Sequence, residues 1–224
     1  MNRIVAPIHL VAVGGLALAL GGCSTAKVTS DVALAPNLKF RPAMIYVAHI
    51  DLPDDAIQSE SPAARHPLHA WREQSQAHSL AEDMQQDVVQ DLTKKGLAAQ
   101  RLAPSETLPT QGWLVRSTIL RMDEGDRLRR AVIGFGEGQT NLQVAVAIDN
   151  LSAGQPPVPL YQMQTEAQSG KSPGAVVTMN PYSAAAQFVL AGHDLEHNVQ
   201  KTASQIADKV VAHVNEAGQT PPTP

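Results

Sequence analysis

Apolar residues recur every fourth position from Leu80 through Met84 and Val88 to Leu92, flanked by Ala81 and Val89, which is the stripe of an amphipathic helix. Ser79 and Glu82 stand ahead of it with capping-box spacing: the hydroxyl accepts from a backbone N–H at the helix start while the carboxylate reaches back. Gly96 suits the helix C-cap, and a start nearer Trp71 is an alternative. A second stripe, Leu195, Val199, Ala203, Ile206, Val210 and Val214, follows Asp194 and predicts a helix docked on a sheet. The sheet is read from a different period. From Leu142 to Asp149 the even positions are large and aliphatic and the odd ones small or polar, so one face is buried and the other lightly covered, as in an antiparallel sheet.

Met44–Ile50 reads as a first strand, ended by the turn residues Asp51–Asp55, and Trp113–Met122 as a second. Val158–Ala167 returns after a turn over Asn150–Pro157. Ser169–Pro181 is a loop rich in glycine, serine and proline, and Ser183–Ala191 a short helix. The fold class expected is α+β: a mostly antiparallel sheet of four to five strands over residues 43–214, with two main helices packed on one face. Residues 215–224 read as a disordered tail.

The amino end changes this picture. Arg3 precedes an apolar run from Leu10 to Leu20, eleven residues in length. A membrane-spanning helix needs about 20. The run therefore fits the apolar region of a signal peptide over residues 1–22. Leu20-Gly21-Gly22-Cys23 closes it and resembles the lipobox of bacterial lipoproteins, in which small residues let extended backbone enter the peptidase and the cysteine receives diacylglycerol. Cys23 is the only cysteine, so no disulfide competes for it. The resemblance implies two or three acyl chains, such as palmitate, and stable anchoring requires at least two such signals. It also implies sorting to the inner leaflet of an outer membrane, facing the periplasm, because Ser24 rather than an aspartate follows the cysteine. Residues 23–42 carry two prolines and no sustained apolar period, which reads as a lipidated tether. The formal net charge is −4, and removing residues 1–22 takes away Arg3 and no acid, which gives no support for nucleic-acid binding.

Candidate chemistry is sparse. His193 and His197 are four apart on the face opposite Leu195 and Val199, a spacing that suits a metal. A closed site needs two further ligands from His66, His69 or His78, and Asp194 stands where the zinc-protease pattern has its glutamate; a solvated helix start explains the same residues. Gly134, Gly136 and Gly138 follow Arg127, Arg129 and Arg130, and glycine-rich backbone beside cations suits an anion or a partner. Their spacing is G-x-G-x-G with a strand behind it, not a phosphate-binding fingerprint, so a plain connection between strands competes. Asp123, Glu124 and Asp126 offer carboxylates for acid–base work or, more simply, solvate a strand end. No cofactor is expected.

The stretch Arg130-Ala131-Val132-Ile133-Gly134-Phe135-Gly136-Glu137-Gly138, leading to Leu142-Gln143-Val144 and Asp149 before a turn at Gly154, resembles a family of bacterial lipoproteins, the domain of unknown function numbered four-four-one-zero. The likeness runs roughly from Met44 to Val214. It implies an envelope lipoprotein without assigned chemistry and carries over no catalytic residue. The expectation is a non-enzymatic interaction or assembly module in export, surface assembly or wall maintenance, with an envelope protein or a second copy as partner. A metal- or small-anion-binding lipoprotein is the alternative, and a hydrolase built on the acidic cluster a third reading.

Overall fold

A computed structural model describes residues 25–34, 41–58, 67–123, 140–151, 156–168 and 194–218. Among the described residues seven strands form one sheet: β1 (Thr25–Ala33), β2 (Ile45–Val47), β3 (Ile57–Gln58), β4 (Ala99–Arg101), β5 (Trp113–Asp123), β6 (Asn141–Asn150) and β7 (Val158–Gln168). Two long helices, α1 (Pro67–Lys94) and α2 (Asp194–Ala217), accompany it. The strand order is β1-β7-β6-β5-β2-β4, with β3 pairing β5 beyond β2. The class is α+β, as expected, but the sheet is larger than expected and mixed.

The mixture follows from the connections. β5, β6 and β7 form an antiparallel meander with β1 added antiparallel to β7. β2 runs parallel to both its neighbours, β4 and β5. A parallel neighbour demands a long crossover, and α1 supplies the one between β2 and β4. Beyond β2 the chain stays alongside β5: Asp51 bridges Thr118, and Ile57 and Gln58 pair Met122 and Asp123.

Residues 25–33 correct the expected tether, because they are the edge strand β1. Ala26 and Val28 lie opposite Ala167 and Thr165, whereas beyond a bulge between Val28 and Ser30 it is Asp31 and Ala33 that lie opposite Met163 and Tyr161. The extra residue switches which parity faces the helices. The strand therefore has no continuous alternation.

Both helices lie on one face of the sheet. Trp113, Val115 and Ile119 of β5, Leu142, Val144, Val146 and Ile148 of β6, and Tyr161 and Met163 of β7 form one core with Met84, Val88 and Leu92 of α1 and Val199, Ile206 and Val210 of α2. Burying each large apolar side chain contributes roughly 1.5–3 kcal/mol. Gln85, 1 % exposed on the inner side of α1, donates to the carbonyls of Val47 at 2.8 Å and Leu102 at 3.3 Å and accepts from Arg101 Nε at 3.0 Å. It thereby fixes α1 to β2 and to the end of β4.

α1 begins at Pro67, earlier than its apolar stripe indicates, with Leu68 and Trp71 exposed on its first turns. It ends in a Schellman turn: Leu97 N–H donates to Leu92 O at 3.1 Å and Gly96 N–H to Thr93 O at 3.0 Å, with Gly96 at φ +83°. Lys95 Nζ, 2.7 Å from Asp208, joins the end of α1 to α2.

Candidate functional site

The face of the sheet away from the helices is where side chains remain accessible. Near β2 it is closed by a small cluster of Leu102, Leu114 and Leu151 with Tyr46 and Ala48. Over β5, β6, β7 and β1 it opens into a shallow groove of about 320 Å³. Register builds the groove. Val32, Gln162, Ala147 and Arg116 form one row across the four strands, and Ser30, Gln164, Ala145 and Thr118 the next. The alanines of β6 make the floor, and the longer side chains of β5 and β7 make the sides. The small odd positions of β6, which alternation already picked out, have this structural result.

One end of the groove is charged. Arg116 Nε donates to Asp149 Oδ2 at 2.6 Å, with Asp149 1 % exposed and Arg116 56 %. The hydrogen bond to Asp149 raises the Arg116 pKa, burial opposes it and the opposite charge adds to it. The second carboxylate oxygen of Asp149 is buried with no hydrogen-bond partner.

On the helix side, the edge of the sheet carries a different cluster. His213 of α2 is stacked on Tyr161, ring centroids 3.8 Å apart and 14° from parallel, and Tyr161 is tilted against Trp113 at 6.1 Å. Lys209 Nζ lies 2.8 Å from Asp31 Oδ2. Burial raises the Tyr161 phenol, and the charges of Glu216 and Asp31 push it the same way. A third feature is a groove between the helices, about 360 Å³, lined by Asp83, Asp87 and Glu196 among others.

The expected site residues fall unevenly on this frame. Leu20, Gly21, Gly22, Cys23, Arg127, Arg129, Arg130, Gly134, Gly136, Gly138 and His193 lie outside the described residues, as do His66, Glu124 and Asp126. His197 is exposed on α2 and His78 on α1. Among the described residues no three histidine, cysteine or acidic side chains are grouped to hold a metal ion, and no helix is long and apolar enough to cross a membrane. Asp123 does not solvate a strand end: it is 3 % exposed, with Arg121 Nη2 at 3.1 Å. It is also paired with Asn141 across the sheet.

Sequence reasoning passed over Asp31, His213 and the Arg116–Asp149 pair. His213 carried a signal, since it follows Ile206 and Val210 by seven and three positions on the apolar stripe of α2. Arg116 and Asp149 carried none, because Arg116 is opposite Ala147 and meets Asp149 only diagonally, which requires the register.

A family model described as Domain of unknown function (DUF4410) matches residues 45–186, more than half of the chain. The chain belongs to the DUF4410 family. The matched span of this DUF4410 protein begins at β2 and runs past β7, so β1 and α2 lie outside it. No curated protein matches. Solved structures similar to it include a PelC dodecamer from Paraburkholderia phytofirmans, 13 % identical, covering 80 % of this chain and 96 % of that one with a TM-score of 0.36. A point variant of the same PelC dodecamer is 16 % identical, with coverage of 80 % and 98 % and a TM-score of 0.35. A minor lipoprotein from Acinetobacter baumannii is 12 % identical, with coverage of 75 % and 93 % and a TM-score of 0.26.

Proposed function

We propose that this DUF4410 protein is a cell-envelope lipoprotein, anchored through diacylglycerol on Cys23 in the inner leaflet of an outer membrane, and that it works there as a non-enzymatic interaction or assembly module. Export, surface assembly or wall maintenance is the setting, and the partner is an envelope protein or a second copy. The anchor rests on the lipobox Leu20-Gly21-Gly22-Cys23. The observation that carries the module reading is the open sheet face, where Val32, Gln162, Gln164 and Arg116 stand exposed around the alanine floor of β6. A shallow groove with long polar side chains on either side suits contact with a polypeptide surface better than enclosure of a small substrate.

The test is photocrosslinking in native membranes from a reactive residue at Gln162. A discrete adduct that disappears in Ala147→Arg, which fills the floor, supports the reading. Recovery of the free monomer alone, under conditions where the protein is functional in cells, counts against it. Cys23→Ala should move the protein from the membrane fraction to the soluble one.

A further inference from the structure

The position of β1 fixes something that the anchor alone does not. β1 begins at Thr25, and Thr25 pairs with Gln168, the last residue of β7. Gln168 pairs with Asn141, the first residue of β6, and Asn141 with Asp123, the last of β5. These four residues form one row across the sheet and mark one of its ends. Cys23 stands two residues before Thr25.

Two fully extended residues span at most about 7 Å. The layer of headgroups outside the hydrocarbon core is roughly 5–8 Å thick on each side of a bilayer. A leash that outreaches the layer it must cross by no more than about 2 Å leaves no room for a layer of water where β1 begins. We propose that the corner of the sheet where Thr25 of β1 pairs Gln168 of β7 rests directly on the phospholipid headgroups, so that the domain is docked on the bilayer rather than suspended from it. Gln168, exposed at this corner, is polar and uncharged, a type that can meet headgroups without stripping water from an ion. The eleven residues of β7 rise about 3.3 Å each, so Val158 lies about 33 Å along the strand from Gln168.

The proposal rests on acylation of Cys23. Because acylation consumes the only thiol, a single added cysteine can be labelled selectively. Gln168→Cys carries an environment-sensitive fluorophore in the full-length protein, processed in cells and reconstituted in phosphatidylethanolamine–phosphatidylglycerol vesicles containing headgroup spin-labelled lipid. Strong quenching is expected at this position. It should be lost when a flexible glycine–serine insert of about 20 residues, long enough to lift the domain by roughly 25 Å, is placed between Ser24 and Thr25. Mass spectrometry of the same samples reads the state of Cys23. An acylated protein whose Gln168 label is no more quenched than that of the lengthened variant overturns the docking alone. An unmodified Cys23 overturns the lipoprotein reading and the docking with it.

Discussion

Asp31 and His213 stand 182 positions apart in the chain and 3.0 Å apart in the fold, Oδ1 against Nε2. The other ring nitrogen of His213 faces Glu216 Oε2 at 3.2 Å, and Lys209 reaches the second oxygen of Asp31. α2 thereby holds the edge strand β1 by its only inward-facing acid. Burial pushes the Asp31 carboxyl upward, but the hydrogen bond from Lys209 and the closeness of His213 outweigh it, and the net shift is downward. A carboxylate held below its unfolded value contributes stability above that unfolded value, near 3.8, and loses it as pH falls through the folded one. Relative to the intrinsic rate of an unprotected amide, exchange over residues 25–33 should therefore accelerate below about pH 4 ahead of exchange in β5 and β6. In Asp31→Asn it should be fast already at neutral pH, with a stability loss on the order of 1 kcal/mol for this partly exposed pair.

Asp87 should behave with the opposite sign. Burial raises its pKa, the neighbouring Asp91 and Asp83 raise it further, and Lys94 offsets part of the effect. The folded protein thus holds a proton on this group more tightly than the unfolded chain does, and ionised Asp87 is a destabilising element at neutral pH. Asp87→Asn should raise the Tm at pH 7, and the gain should vanish as pH falls through the folded pKa of Asp87. A thermal melt series across acidic and neutral pH reads both statements, and an unchanged Tm at pH 7 would sink them.

Gly112 precedes β5 at φ +113°, and a Cβ placed on it would lie 2.6 Å from Met44 O. Two penalties coincide there: a backbone conformation that L side chains avoid and an overlap with main chain that no rotamer can relieve. Gly96, at φ +83° with nothing within 4 Å, carries only the first. Gly112→Ala should cost at least about 2 kcal/mol in urea unfolding and Gly96→Ala about 1 kcal/mol.

Gln85→Leu keeps the volume of a buried side chain and removes its polar end. The carbonyls of Val47 and Leu102 and the guanidinium of Arg101 would each lose a partner. The expected loss is about 1–3 kcal/mol, measured as a lower urea midpoint at unchanged slope.

The elements legible from sequence are those whose period is unbroken. β6 and α2 each keep one parity or one stripe from end to end, so their boundaries and their buried faces were readable. The stripe of α1 was readable only from Leu80 onward, with a start near Trp71 left as an alternative, because Leu68 and Trp71 on its first turns are exposed and supply no stripe. β1 was lost to the bulge after Val28, and β4, three residues long, is too short to have a period. The antiparallel expectation failed for a related reason: β2 has parallel neighbours on both sides, a property of connections rather than of residues. The groove was half legible, its alanine floor in the alternation of β6 and its charged end in no local pattern at all.

The clasp between β1 and α2 joins the first described element to the last. A polypeptide that emerges amino end first holds Asp31 long before Lys209 and His213 exist to receive it, so the edge of the sheet stays unsealed until α2 has been made. Assembly of this domain is timed by its carboxyl end, and a truncation that removes only α2 should leave a loose amino-terminal strand far from the cut.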